Sequence, residues 1–177
     1  MTTTEAAAGT EAVVEPRQPG DLRAWLDAAG RLGLVRHVVG AEPREDIGAI
    51  VDIYQERMGG PALLFDEVPG FPAGFRVAAN TMTAQPLVAQ TLGLPADTSR
   101  VELVDFWRQY FREDRLVPPR IVADGPVLQN EMVGEAIDLA RFPTPTWHEL
   151  DGGPYLGTGS FVLLRDPDTG WVNGGTY

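Results

Sequence analysis

The chain contains 177 residues, with 44% hydrophobic residues and a formal net charge of −11. This length suits one ordinary domain, or a small domain and part of a second. All 14 basic residues are arginine, so the chain contains no lysine, and it contains no cysteine either. Disulfides, thiol nucleophiles, Schiff-base lysines and Walker-type phosphate loops are therefore excluded. The acidic charge argues against nucleic acid and anionic membranes as partners. No apolar run approaches the roughly 20 residues that span a bilayer.

The first 19 residues are rich in Ala, Thr and Glu. They contain neither the basic nor the apolar segment of a secretory signal. Their composition predicts a disordered tail, and a cytoplasmic location is expected.

Helical and strand patterns alternate from residue 20 to residue 120. Asp21 is a candidate cap for a first helix that Gly33 ends, and residues 34–39 alternate like a strand. Pro43 is expected to open a second helix, which Gly59–Gly60 would end. The apolar stripe of this second helix consists of Ile47, Ile50, Val51, Tyr54 and Met58.

The pattern continues with two short strands, over residues 61–68 and 75–80, and with two further helices, over residues 84–92 and 100–115. The last helix separates polar from apolar residues. Its polar face holds Glu102, Asp105, Gln109 and Arg112, and its apolar face holds Leu103, Val104, Phe106, Trp107, Tyr110 and Phe111. The alternation predicts a small α/β domain over residues 20–120.

The pattern changes at residue 121, where prolines, glycines and short apolar runs replace the helices. The segments "GTGSFVLL" and "GWVNGGTY" flank "RDPDT", an arrangement typical of a β-hairpin. Because two or three strands form no stable barrel or sandwich alone, residues 121–177 are interpreted as the incomplete beginning of a β-rich domain.

The histidines and the acidic turn residues favour structural roles. His37 lies in a strand pattern, where a packed or edge-strand histidine is the expected interpretation. His148 lacks the second histidine of a helical zinc motif, so a polar turn is expected there. Asp166 and Asp168 lack the spacing of a calcium loop, and a hairpin turn explains them.

Two stretches are better candidates for ligand binding. Four glycines lie between Asp151 and Gly159, where they would let the backbone approach a ligand closely; a flexible connection is the alternative. Asn173 offers a carboxamide oxygen to a hard divalent cation, and Gly174–Gly175 would admit a phosphate or a flat ring. A plain turn is the alternative for these three residues.

The segment "HELDGGPYLGTGSFVLLRDPDTGWVNGGTY" resembles the signature region of the UbiD-type decarboxylases, which use prenylated FMN. The earlier segments "DLRAWLDAAGRLGLV" and "GGPALLFDEVPG" resemble the N-terminal domain of that family. The resemblance covers residues 20–177 and implies that residues 121–177 begin a split β-barrel flavin-binding domain.

The resemblance implies a reversible, non-oxidative decarboxylation of aromatic or α,β-unsaturated carboxylic acids. Asn173 would bind the divalent metal, Mn²⁺ or Mg²⁺, that holds the cofactor phosphate, and the main-chain carbonyl of Trp171 would help to bind K⁺. Thr158, Thr176 and Tyr177 would line the prenylated flavin. The family further implies a flavin prenyltransferase as cofactor supplier and a homo-oligomer at full length.

The family's catalytic Glu–Arg–Glu residues, and its other two metal ligands, would lie beyond Tyr177. No catalytic residue is therefore expected within the chain, which is interpreted as the N-terminal third of a carboxy-lyase and is expected to be inactive alone. One alternative is a non-catalytic, cofactor-binding subunit completed by a second polypeptide. Another is an inert remnant in which only the α/β domain folds.

Overall fold

A computed structural model describes residues 20–57, 59–110, 118 and 120–176. The predicted tail and the predictions for Met58, Phe111, Arg112 and Tyr177 lie outside these residues. The helices are α1 (Leu22–Arg31), α2 (Asp46–Gln55), α3 (Gln85–Thr91) and α4 (Arg100–Tyr110). The strands are β1 (Val35–Val39), β2 (Ala62–Asp66), β3 (Val77–Ala79), β4 (Phe161–Arg165) and β5 (Val172–Thr176).

The first three strands form one sheet in the order β1-β2-β3. β1 runs parallel to β2, with Val35 opposite Ala62, and β3 runs antiparallel to β2, with Val77 opposite Phe65. The parallel pair requires a crossover, which α2 provides. β2 is therefore the central strand.

Helices cover both faces of this sheet because successive side chains of β2 point to opposite sides. Leu63 and Phe65 pack with α2 through Ile47 and Val51, in a cluster that also includes Ala41, Val68 and Ala79. Ala62 packs on the other face with Trp25 and Ala29 of α1, with Leu87 of α3 and with Ala84, the residue that precedes α3. The predicted α/β character of this region is confirmed.

α1 begins as the sequence predicts. The Asp21 carboxylate accepts a hydrogen bond from the Ala24 backbone N–H at 2.8 Å, which satisfies one of the free donors of the first turn. Two side chains then fasten α1 to α3. The Trp25 indole N–H donates to the Thr91 hydroxyl at 2.9 Å, and the Gln90 amide donates to the Trp25 carbonyl at 2.8 Å.

α2 differs from the expectation at both ends. It begins at Asp46, and Pro43 lies in the preceding turn. The Asp46 carboxylate accepts from the Glu42 N–H at 2.9 Å, and the Asp46 N–H donates to the Glu42 carbonyl at 3.0 Å. This turn ends at Asp46, so the regular helix begins three residues after Pro43. The helix ends at Gln55, before the glycines that were expected to end it.

The apolar face predicted for α4 is only partly buried. Leu103 is buried and packs with Ala89 and Leu92, and Phe106 is packed against this cluster. Val104 is 58% exposed, so it contributes little to the core.

Residues 120–176 contain three short 3-10 turns and one antiparallel hairpin. The turns are Pro126–Leu128, Gly134–Ala136 and Leu139–Arg141, and β4 pairs with β5 from Phe161 opposite Thr176 to Arg165 opposite Val172. The predicted hairpin is confirmed, whereas the beginning of a split barrel stays a prediction. None of the helices in the described residues is long and apolar enough to cross a bilayer.

Candidate functional site

A cleft of about 1090 Å³ lies between the N-terminal sheet region and the segment that leads into β4. One wall comes from α2 and from residues 76–83, which include β3. The other wall comes from residues 142–145, 147–148 and 151 and from residues 155–158, 160 and 162. Its volume is slightly above the roughly 300–1,000 Å³ that is typical of small-molecule sites.

The second wall is docked onto α2 by Trp147. This side chain packs against the core cluster of α2 and β2, and the Thr146 N–H donates to the Pro43 carbonyl at 3.1 Å. Gly48 makes the approach possible, because a Cβ at this position would lie 2.0 Å from the Trp147 carbonyl oxygen. The Trp147 indole N–H is buried without an acceptor in the described part of the chain.

His148 lies at the cleft between two carboxylates. Its Nε2 is 3.5 Å from Asp52 Oδ2 of α2, and its Nδ1 is 3.8 Å from Asp151 Oδ1. The second oxygen of Asp151 accepts the backbone N–H groups of Trp147 and His148 at 3.1 and 3.0 Å. His148 thus belongs to a polar turn, as the sequence indicates, and this turn also contacts α2.

Asn80 lines the cleft at the end of β3. Its φ of 56° is in the left-handed region, which Asn adopts more readily than most residues. Its amide donates to the Val51 carbonyl at 3.3 Å, and its own carbonyl accepts the Thr83 hydroxyl at 2.9 Å. Sequence reasoning missed Asn80 and Asp52. An Asn-Thr pair directly after a strand was the available signal for Asn80.

Thr158 lines the cleft. Asn173 lies on the hairpin face that also includes Val162, another residue of the cleft wall. Asn173 is opposite Leu164 in the ladder, and residues opposite each other lie on the same face of a sheet. Alternation places Val162 on that face as well, and Val162 lines the cleft. Asn173 itself is exposed and is not part of the cleft wall.

The other predicted site residues are placed differently. Thr176 is opposite Phe161, so it lies on the hairpin face away from Asn173. Trp171 precedes β5, and its carbonyl accepts the Asp166 N–H at 2.8 Å, which leaves one lone pair of that oxygen for another partner. Tyr177 lies outside the described residues. The hairpin therefore places Asn173, but not Thr176, on the face that includes Val162.

The two glycines after Asn173 were expected to leave room for a phosphate or a ring. Over Gly174 this space is filled by the chain's own Phe161, since a Cβ at Gly174 would lie 2.6 Å from the Phe161 ring.

Two candidate oxygen donors for a metal lie in or next to β5. Asn173 offers a neutral amide oxygen, and Trp171 offers a carbonyl, and both types suit hard cations. The described residues contain no group of three or more His, Cys, Asp or Glu side chains that could hold a metal ion. Asn173 and Trp171 therefore fit a metal in kind but, among the described residues, supply only part of a coordination sphere.

The hairpin turn is closed by Asp166. Its Oδ1 accepts the Thr169 N–H at 2.7 Å, the Thr169 hydroxyl at 2.9 Å and the Asp168 N–H at 3.0 Å. The Thr169 N–H and hydroxyl, with the Asp168 N–H, hold the pKa of Asp166 below its usual value. This is the structural turn that the sequence favours over a calcium loop. His37, on the edge strand β1, is also an exposed strand residue as expected.

Comparison with known protein families supports the resemblance over most of the chain. Residues 24–107 match the 3-octaprenyl-4-hydroxybenzoate carboxy-lyase N-terminal domain, and residues 120–177 match the Rift-related domain of the same carboxy-lyases. The chain belongs to the UbiD family.

Several characterised proteins are similar to this UbiD-family chain. It is 37% identical over 161 residues to pyrrole-2-carboxylic acid decarboxylase of Pseudomonas aeruginosa, covering 85% of this chain and 32% of that protein. It is 30% identical over 144 residues to ferulic acid decarboxylase 1 of Saccharomyces cerevisiae, covering 75% of this chain and 28% of that protein. The chain thus spans about a third of the length of these relatives.

The fold is also similar to solved UbiD-like structures. The closed form of vanillic acid decarboxylase from Sedimentibacter hydroxybenzoicus matches with a TM-score of 0.75 and 28% identity, covering 89% of this chain and 34% of that chain. Its open form matches with a TM-score of 0.76 and 26% identity.

Proposed function

We propose that the chain forms the N-terminal part of a carboxy-lyase that decarboxylates aromatic or α,β-unsaturated carboxylic acids reversibly and without oxidation. The proposed cofactors are prenylated FMN, Mn²⁺ or Mg²⁺, and K⁺. The characterised relatives act on pyrrole-2-carboxylic and ferulic acids, and both substrates carry the carboxylate on an unsaturated carbon. A flavin prenyltransferase would supply the cofactor, and the full-length protein would form a homo-oligomer.

The position of Asn173 carries this proposal. Its carboxamide lies on the same hairpin face as Val162, and Val162 and Thr158 both line the large cleft. A cation bound to Asn173 would therefore lie on the hairpin face that includes the cleft-lining residue Val162.

The roles of the chain's own residues follow from their donor atoms. The neutral oxygen of Asn173 would bind the divalent cation without adding charge, and the free lone pair of the Trp171 carbonyl would bind K⁺. The Thr158 hydroxyl would orient the flavin. Thr176 would contact it only from the opposite hairpin face, and Tyr177 would complete this lining.

When bound, prenylated FMN supplies the electron sink that allows the carboxylate to leave as CO₂. The walls of the cleft would exclude water from the reacting carbon. No residue of this chain is proposed as the catalytic proton donor.

Asn173→Ala, made in the protein expressed from its complete coding sequence, tests this function. We expect metal affinity to fall at least about tenfold, with parallel loss of bound flavin. Metal content by mass spectrometry and flavin absorbance of the purified protein measure both. Asn130→Ala is the control, because Asn130 is exposed in the turn region and distant in sequence from the hairpin. Full metal content and unchanged flavin absorbance in Asn173→Ala would exclude this role.

Native mass spectrometry of the same preparation distinguishes the alternative of a non-catalytic subunit. A second polypeptide that co-purifies with this chain and is required for metal binding would support that alternative. A single type of chain that retains metal and flavin would support the carboxy-lyase.

A further inference from the structure

A second pocket, of about 500 Å³, lies beside α1 on the sheet face opposite α2, and its lining includes three arginines and one histidine. Arg23 and Arg31 reach it from α1, His37 from β1, and Arg76 from the residue before β3. Arg23 and Arg31 are eight residues apart in the helix, a spacing that returns to the same face after about two turns. Three separate elements thus direct basic groups to one place in a chain whose net charge is −11.

The arginines of α1 are not neutralised within the described part of the chain. Among the described residues, no carboxylate oxygen forms an ion pair within 4.0 Å of Arg23 or Arg31, although Asp27 also lines the pocket. Arg76 has only a long contact, 4.0 Å, with Asp66. A long, solvent-exposed ion pair contributes little stability, so these guanidinium groups remain able to bind an external anion.

The floor of the pocket is apolar. Leu64 of the central strand is 4% exposed, and Leu26 and Val35 are half-buried beside it. Gly30 leaves the helix wall open here, since a Cβ at this position would meet no atom within 4 Å. The volume lies within the range of roughly 300–1,000 Å³ that is typical of small-molecule sites.

We propose that this pocket binds a small organic anion whose carboxylate lies among Arg23, Arg31 and Arg76 and whose flat apolar body lies against Leu26, Val35 and Leu64. Planar guanidinium groups match a carboxylate through paired hydrogen bonds. Burial of an aromatic body against the apolar floor adds a favourable binding free energy that an inorganic anion lacks. Arg76 also borders the cleft near Asn173, but none of the other residues of this pocket does, and the proposal does not depend on the proposed decarboxylase activity.

The chain offers a two-signal test, because it contains only two histidines. His37 lines this pocket, and His148 lines the cleft. The full chain, labelled at histidine, is titrated with benzoate at constant neutral pH and ionic strength, and the imidazole signals are followed by NMR. We expect the His37 signal to shift and saturate along its own binding curve, whether or not benzoate also reaches His148 in the cleft. His37→Gln assigns the two signals.

Benzamide is the matched neutral probe, with the same ring and no charge, and it should leave His37 unshifted. Inorganic phosphate, which carries charge without an apolar body, should bind at least about tenfold more weakly than benzoate. Arg31→Gln should weaken benzoate binding roughly tenfold. Arg44→Gln is its control, because Arg44 is exposed in the turn before α2, and it should leave binding unchanged.

Several results would overturn the proposal. These are an unshifted His37 signal, a His37 shift that does not saturate, equal effects of benzamide and benzoate on His37, or phosphate affinity equal to that of benzoate. Arg23→Gln provides a second variant if Arg31→Gln loses the native His148 signal. Unchanged benzoate binding in a folded arginine variant would likewise exclude the site.

Discussion

β2 and β4 are both five-residue apolar strands, ALLFD and FVLLR, yet their environments are opposite. The first four residues of β2 are buried, whereas every residue of β4 is exposed. β2 is paired on both sides and covered by helices on both faces, whereas β4 pairs with β5 alone among the described residues. The comparison shows that similar apolar composition stabilises a strand only where other elements cover it.

The difference separates two sources of stability. The N-terminal region buries apolar side chains, and full burial of one large side chain contributes about 1.5–3 kcal/mol. The hairpin depends on its ladder and on the turn that Asp166 closes, and such local interactions contribute less. We therefore expect substitutions in the two regions to differ sharply in cost.

The largest expected effect compares two phenylalanines in these strands. Phe65 is fully buried in β2, and Phe161 is 65% exposed in β4. Phe65→Ala should lower the free energy of unfolding of the 177-residue chain by about 3–5 kcal/mol, because it leaves a cavity. Phe161→Ala should cost less than about 1 kcal/mol. Urea denaturation followed by circular dichroism measures both, and equal losses would contradict the contrast.

An intermediate effect concerns two helical glycines. Gly48→Ala would place a Cβ 2.0 Å from the Trp147 carbonyl oxygen, which is backbone and cannot move aside by changing rotamer. We expect a loss of about 1–3 kcal/mol in unfolding free energy. The Thr146 amide, which donates to the Pro43 carbonyl, should also lose protection from hydrogen exchange.

Gly30→Ala in α1 is the matched control, since its Cβ would meet no atom within 4 Å. It should stabilise the chain by about 0.4–1 kcal/mol, because alanine restricts the unfolded chain and favours helix. If the Thr146 amide of Gly48→Ala keeps its native protection from hydrogen exchange, the cleft wall that contains Trp147 is not docked on α2 as described.

The smallest expected effect is the pH response of the hairpin turn. The Thr169 N–H and hydroxyl and the Asp168 N–H lower the pKa of Asp166, so the native turn favours the carboxylate. Its contribution is complete above the ordinary aspartate pKa and is lost as the pH falls through the lowered native pKa. The Thr169 amide shift, followed by NMR in an acid titration, should report that transition.

Thr169→Val sharpens this pH prediction by removing the hydroxyl donor and keeping the backbone donor. The pKa of Asp166 should then rise toward its ordinary value. Glu102 is the internal control from the other region, because its pKa is lowered by the hydroxyl and backbone N–H of Ser99 at the start of α4. An unchanged Asp166 pKa, or an equal change at Glu102, would contradict this account of the turn.

Local sequence signals predicted much of the secondary structure. Asp21 caps α1, the run from Ala62 to Asp66 forms the central strand, and "RDPDT" forms a hairpin turn. The signals fail where a non-local or medium-range contact competes. The turn closed by Asp46 delays the start of α2 beyond Pro43. The close approach of the Trp147 backbone carbonyl to Gly48 has no counterpart in the hydrophobic periodicity of the sequence.

The sequence by itself determined the family, the α/β pattern of the first region and the identity of Asn173 as a candidate ligand. These depend on residue type and on spacing along the chain. Only the tertiary structure decided that Asn173 shares a hairpin face with Val162 and that Thr176 does not. It also decided that Arg23, His37 and Arg76 meet in one pocket. Strand register and helix docking are set by packing between distant segments, and packing is a property of the folded chain.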